Sequence, residues 1–177
     1  MTFPLGLARG TVAVVPFDPR WAALFQAEAD RLQSDAPLDQ LRIEHTGSTS
    51  VVGLCAKPII DLLAGYPAGA APDAFIETLV RTGYVHRGEQ GIPGRHFFRR
   101  GDPRSYHHHV VEIGSPFWRE HLTFRECLRG NAATRAAYAA LKEGLAQRYP
   151  HDRESYIEGK SGFVRDVLAR AATVGEA

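Results

Sequence analysis

The chain has 177 residues, 44% of them hydrophobic, which is the size of one ordinary domain with a real core. With 21 basic against 20 acidic residues the formal charge is +1, so no global field draws it to nucleic acid or to a membrane surface. No apolar run approaches a membrane span, residues 1–10 lack the layout of a signal peptide, and Cys55 and Cys127 follow no metal spacing; together these fit a cytoplasmic protein with reduced thiols.

Residues 12–17 form a short apolar run that reads as an early strand or a packed arm. Asp18-Pro19 opens a helix, because Asp is a good N-cap and Pro suits the first helical position; Trp21, Leu24, Phe25 and Leu32 make its apolar stripe. Residues 41–46 predict a central strand. Residues 57–65 predict a second, and Ile59, Ile60, Leu62 and Leu63 give it the pattern of a strand buried on both faces. A loop over 67–72 leads to a helix over 73–82, with Phe75, Ile76, Leu79 and Val80 inward and Gly83 as its stop. Residues 84–87, 96–100 and 106–113 read as strands, with turns at 88–94 and 101–105. After Pro116 three helices follow, over 117–129, 132–149 and 152–172. The order predicts a single α/β domain over 1–177: a mixed sheet flanked by helices, with a helical C-terminal layer.

The chemistry concentrates at the end of the first strand. Glu44-His45-Thr46-Gly47-Ser48-Thr49-Ser50 is followed by Lys57-Pro58-Ile59-Ile60-Asp61. A small hydroxyl-rich turn can hold phosphate through Gly47 and Ser48, and a neighbouring carboxylate, Asp61, is a hard ligand for Mg²⁺. A P-loop, a dinucleotide-binding glycine pattern and a hydrolase elbow are all missing from the sequence. Asp61 stands in a run of Ile and Leu, so it must be paired, hydrogen-bonded or at the strand end; on a regular strand Lys57 shares its face.

The second constellation is His107-His108-His109-Val110-Val111-Glu112. In a strand His107 and His109 share one face, while His108 and Glu112 share the other. The pair can ligate a metal or grip a phosphate, and His45 can join it. Two further carboxylates, Glu44 and Glu112, are the next to inspect as ligands. Tyr138 and Lys142, and Tyr156 and Lys160, stand at i, i+4 on helix faces. On spacing alone a packed Tyr under a Lys stem is the better reading, with an anion pocket as the other. Arg95, in Gly94-Arg95-His96-Phe97-Phe98, is a candidate phosphate contact, since Arg binds phosphate through two parallel hydrogen bonds; the run it opens, to Arg100, reads equally as a solvated strand edge.

The long motif resembles the signature of the GrpB (UPF0157) family, His-x-Gly-Ser-Thr-x-Val-x-Gly-Leu-x-Ala-Lys-Pro-x-Ile-Asp. Here it is carried by His45, Gly47, Ser48, Thr49, Val51, Gly53, Leu54, Ala56, Lys57, Pro58, Ile60 and Asp61, with Val52 where the family often has Pro. His107, His109 and Val110 match its His-x-His-Val pattern, Phe124, Arg125 and Leu128 match a further segment, and the Tyr/Lys spacings are shared. The resemblance spans about residues 12–171. It implies a nucleotidyltransferase fold and a nucleotide or other phosphorylated small molecule as ligand. His45, Gly47, Ser48, Thr49, Lys57, Arg95, Arg125 and Lys160 would line that ligand. Asp61, His107 and His109 would supply catalysis and hold a divalent metal (Mg, Mn or Zn).

Metal-dependent nucleotidyl transfer is one expectation. The other is a catalytically silent accessory module on the same scaffold, because Leu63 stands where the superfamily usually has a second acid on this strand. Fusions of GrpB-like domains to dephospho-coenzyme A kinases fit that accessory role. A His-liganded transition-metal enzyme is a third reading.

Overall fold

The computed structural model describes residues 4–175; residues 1–3 and 176–177, which belong to the 1–177 span and in part to the stretch 1–10, lie outside the described residues. In chain order the elements are α1 (Arg20–Gln33), β1 (Arg42–Thr46), β2 (Ile60–Tyr66), α2 (Asp73–Arg81), β3 (Val85–His86), β4 (His96–Arg100), β5 (Tyr106–Glu112), α3 (Pro116–Gly130), α4 (Ala132–Arg148) and α5 (Arg153–Gly175), with single 3₁₀ turns at Leu38–Gln40 and Ser48–Ser50. The mixed sheet has the order β1-β2-β5-β4-β3, and only the β2–β5 pair is parallel.

Local chemistry starts the helices. The Asp18 carboxylate accepts the Arg20 backbone N–H at 2.9 Å, Ser115 accepts from Trp118, Asn131 from Thr134 at 2.9 Å, and Asp152 from Ser155 at 3.0 Å. Gly83, at φ +92°, follows α2 as a left-handed stop.

The strand period of two then divides the molecule into layers. Ile60, Leu62 and Ala64 of β2, with Phe98 and Val110, face α1 and α2 and join Trp21, Leu32, Phe75 and Leu79 in the main core. Leu63 and Val111 face the other way, onto Trp118 of α3. Gly65 is needed there, since a Cβ at that position would collide with Trp118 and Ile113. A third cluster, Val51, Leu54, Leu128 and Tyr138, joins the turn after β1 to α3 and α4. The Asp61 face of the sheet is thus roofed by the C-terminal helices.

One alternative is decided and three expectations change. Residues 12–17 form no strand but a packed arm: Val15 bridges Ala56 in both directions, at 2.8 and 2.9 Å, and the Val12 N–H donates to Pro150 O at 2.8 Å. Further back along the arm, the Gly6 N–H donates to Pro58 O at 2.7 Å and Leu7 bridges Arg104. The second strand begins at Ile60 rather than residue 57, because Pro58 has no N–H and the Ile59 N–H turns back onto Lys57 O. Lys57 therefore lies off the strand and does not share a strand face with Asp61. Val80 is 48% exposed instead of inward; α2 fills its core contacts with Phe75 and Leu79.

Candidate functional site

Sheet register builds the site. Asp61 of β2 lies beside Thr46 of β1 on one side and His107 of β5 on the other, and His107 lies beside Arg99 of β4. All four point to the helix-roofed face. The His107 Nδ1 is 3.0 Å from Asp61 Oδ1. Gly47, at φ +67°, crosses directly over the carboxylate; any Cβ there would collide with Asp61 Oδ2, so the turn requires glycine twice over. Ser50 Oγ donates to Gly47 O at 2.6 Å and holds the turn closed.

Above Asp61 is a cavity of about 310 Å³. The roof contributes Tyr138 and Lys142 from α4 and Arg153, Tyr156 and Lys160 from α5; Lys57 enters from the segment before β2. Lys142 Nζ donates to Ser48 Oγ at 3.0 Å and also to Cys55 O. The ammonium groups rest on phenol faces: Lys142 lies 4.9 Å from the Tyr138 ring centroid, and Lys160 and Lys57 lie 4.5 and 5.1 Å from that of Tyr156.

The electrostatics are those of crowded cations. Burial pushes Lys57 down to about 8, against the pull of Asp61 and with help from Arg153, Arg104 and Arg99. Burial pushes Lys142 down to about 8 as well, with Cys55 and Glu143 opposing and Lys57 adding to it. Lys160 falls to about 7, through burial first and then repulsion from Lys57 and Lys142. Burial alone would raise Asp61, but the hydrogen bond from His107 and the positive charge of Lys57 hold it at about 2. Burial lowers His107 despite Asp61, and lowers His109 strongly, so both imidazoles are neutral at pH 7. Four cations therefore face one carboxylate, which is the only acid among the described lining residues.

The model of the family described as GrpB protein matches residues 11–170. The chain belongs to the GrpB family. An uncharacterised-family (UPF0157) protein of Pseudomonas aeruginosa is 40% identical over 165 residues, covering 90% of this chain and 67% of that protein. The crystal structure of the conserved protein GrpB from Enterococcus faecalis superposes with a TM-score of 0.83 at 33% identity, over 93% of this chain and all of that one. The Cid1 poly(U) polymerase, solved with Mg 3′-dATP bound, matches at a TM-score of 0.53 and 14% identity, over 76% of this chain and 44% of that one, which shows a shared nucleotidyltransferase-type fold. The chain spans 45% of the length of a Bacillus subtilis relative.

In this GrpB family member, Gly47, Ser48, Thr49, Lys57, Asp61, His107, His109 and Lys160 line one cavity. Three other candidates do not. His45 is buried, stacked on Phe25 at 4.5 Å and hydrogen-bonded through Nε2 to Thr49 Oγ1 at 3.0 Å; burial pushes it down to about 4, so it is a neutral brace for the turn. Arg125 donates to Glu44 Oε2 at 2.9 Å and to His45 O at 2.8 Å, pinning α3 to β1. Arg95 donates to Glu89 O at 2.9 Å and covers the rings of Phe97 and Phe117, so it closes the preceding loop. Conversely, Arg153 enters the cavity unannounced, and Lys142 enters it by the anion-pocket reading that spacing alone had placed second. The repeat of Tyr-x-x-x-Lys on α4 and α5 was the available signal, because both pairs turn to the same roof.

The donor set does not suit a resident divalent ion. Among the described residues no group of three or more His, Cys, Asp or Glu side chains is placed to hold one. Leu63 is fully buried where a second acid would stand, Glu44 is engaged by Arg42 and Arg125, and Glu112 is exposed at the other end of β5. No helix among the described residues is long and apolar enough to cross a membrane.

A second cavity of about 200 Å³ shares Gly47, Ser48, His121 and Tyr138 with the first. Its remaining wall is mostly apolar, with Phe124, Leu128, Val164 and Leu168 joined by Glu120 and by Arg125, which lines this chamber and not the first. A charged chamber and an apolar one thus adjoin at the Gly47-Ser48 turn.

Proposed function

We propose that the cavity binds the phosphate groups of a nucleotide or another phosphorylated small molecule, with its uncharged part in the adjoining apolar chamber. The observation that carries this is the excess of Lys57, Lys142, Lys160 and Arg153 over Asp61. Buried charges are expensive unless compensated. A multiply charged phosphate compensates all four cations at once. Ser48 Oγ accepts from Lys142, so its own hydrogen, which has Tyr138 beside it, can turn to a phosphate oxygen. A divalent ion (Mg²⁺, Mn²⁺ or Zn²⁺) would arrive with the phosphates and meet Asp61 and His109, with His107 as a ligand only where it does not act as a base, rather than bind the empty protein tightly.

Nucleotidyl transfer is the chemistry this arrangement supports. Ionised Asp61 fixes the His107 tautomer with Nδ1–H donating, which leaves Nε2 as a lone pair without a partner among the described residues. That nitrogen is the candidate base for the proton of an acceptor hydroxyl as it attacks the α-phosphate and pyrophosphate leaves. Leu63 favours the second reading, a silent phosphate-binding module, since one carboxylate cannot build a two-metal site. A thermal-shift screen of nucleoside triphosphates and sugar phosphates, with and without Mg²⁺, tests binding, and release of pyrophosphate across an acceptor panel tests transfer. A melting temperature indifferent to every phosphorylated compound sinks both readings.

A further inference from the structure

The polar row on the roofed face of the sheet does not end at His107. Arg99 is the next residue across, and the strand spacing places its backbone about 10 Å from that of Asp61. Arg99 opens onto a separate cavity of about 420 Å³, where it is joined by Arg9, Arg87 and Arg104. Asp102 is the one acid among the described residues of that lining.

These four arginines differ from most others in the chain. Arg20, Arg31, Arg42, Arg100, Arg125 and Arg129 each have a carboxylate partner. Arg95 and Arg135 donate to backbone carbonyls. Among the described residues, Arg9, Arg87, Arg99 and Arg104 have neither an ion-pair nor a side-chain hydrogen-bond partner, and the Nε atoms of Arg99 and Arg104 are buried without one. Arg99 has only the face of Phe97, 5.2 Å away. Burial, followed by repulsion from Arg104, Arg153, Arg87 and Arg9, brings Arg99 down to about 10.

The chemistry of the wall selects the ligand. Guanidinium forks match phosphate oxygens in pairs. Single-stranded nucleic acids are held by aromatic platforms as well as charge, and among the described residues no aromatic side chain lines this cleft. We propose that the cleft formed by Arg9, Arg87, Arg99 and Arg104 is a second phosphate site, taking a compact phosphate group distinct from the one held by the lysines. The group is either free pyrophosphate or the second phosphate of a ligand that reaches across His107. The site itself stands on its own residues; the bridging alternative rests on the phosphate reading of the lysine pocket.

The test is calorimetry with inorganic pyrophosphate on folded protein, with circular dichroism as the check of folding. In Lys57→Met/Lys160→Met, which empties the first pocket of two cations without removing a hydrogen bond, residual pyrophosphate binding is expected. Adding Arg99→Gln/Arg104→Gln should weaken that residue of binding by at least about tenfold. Residual binding that is absent, or unmoved by the arginine changes, overturns the proposal. Wild-type binding unaffected by the lysine changes but lost with the arginine changes overturns the lysine pocket instead and leaves this site standing. Fructose 1,6-bisphosphate binding about tenfold tighter than fructose 6-phosphate, with the gain lost in Arg99→Gln/Arg104→Gln, assigns the cleft to a bridging ligand; equal affinities assign it to free pyrophosphate. A short single-stranded oligonucleotide that outcompetes pyrophosphate at matched salt overturns the compact-phosphate assignment.

Discussion

Two carboxylates, Glu28 buried on one side of the sheet and Asp61 half-buried on the other, are treated in opposite ways. On the α1 side, Glu28 receives Arg31 at 2.6 Å, the Tyr84 hydroxyl at 2.9 Å and Arg100, and these three donors answer one anion. Beside it His108 is fully buried among Tyr84 and Phe98, and burial pushes it down to about 3, so it adds no charge. On the roofed side Asp61 faces a cavity and four cations, three of them pushed well below their usual range. Neighbouring histidines of one strand thus look into a region whose charges are settled and a region whose charges are not. Polar burial in the first serves the fold, and in the second it waits for an anion.

The largest effect expected from this comparison is at Glu28. Glu28→Ala leaves two guanidiniums and a buried phenol without their acceptor, and should cost about 3 kcal/mol in chemical denaturation. A loss under about 1 kcal/mol would mean that the knot is no more settled than the pocket. Next, a saturating phosphorylated ligand should stabilise the protein by about 2.7 kcal/mol at a hundredfold excess over its Kd. Lys57→Ala should reduce that gain clearly and Ser48→Ala slightly, while Asp61→Asn should remove only its Mg²⁺-dependent part.

The third effect is smaller and opposite in sign to the first. Lys160→Met removes a penalised cation and should stabilise the empty protein by about 1–2 kcal/mol at pH 6. Lys57, Lys142 and Lys160 hold folded values of about 8, 8 and 7, below the 10.5 of a free lysine. The unfolded chain therefore binds more protons, and the penalty, complete below pH 7, is relieved as pH rises towards 10. Denaturation midpoints of the empty protein should climb between pH 7 and 9.5, and Lys160→Met should flatten the climb. A wild-type midpoint that falls over that window contradicts the pocket electrostatics.

The smallest signal is the most specific. Ligand phosphate should restore the lysine protons, so binding at pH 8 should take up roughly one to two protons and binding at pH 6 almost none. Calorimetry in two buffers of different ionisation heat reads this directly. Equal enthalpies at pH 8 would argue that the ligand never meets the lysines.

Much of this was readable from sequence because the signals are local. The cap at Asp18 sits beside the helix it starts, and the alternation of His107, His108 and His109 sorts them onto faces with no tertiary knowledge. The Gly47-Ser48 turn and Asp61 could be joined because adjacent strands carry them. What failed depended on partners far along the chain. Arg125 and Arg95 are equal candidates for phosphate until Glu44 and the carbonyl of Glu89 claim them. Lys142 looked like a surface stem over a phenol, but its ammonium ends on Ser48, ninety-four positions earlier. Lys57 reached the cavity for a reason other than strand periodicity, since Pro58 had already broken the strand.

The N-terminal arm gives the lysine pocket no side chain, yet it fastens together the pieces that do. Gly6 and Val15 tie it to the segment that carries Lys57, Leu7 ties it to Arg104, and Val12 ties it to the corner between α4 and α5. The sheet side of the cavity and its helical roof are therefore laced by one strap of main-chain bonds. The aperture between opposing cations is set by this lacing as much as by the cations themselves, and a change in the strap would retune the grip of lysines it does not carry.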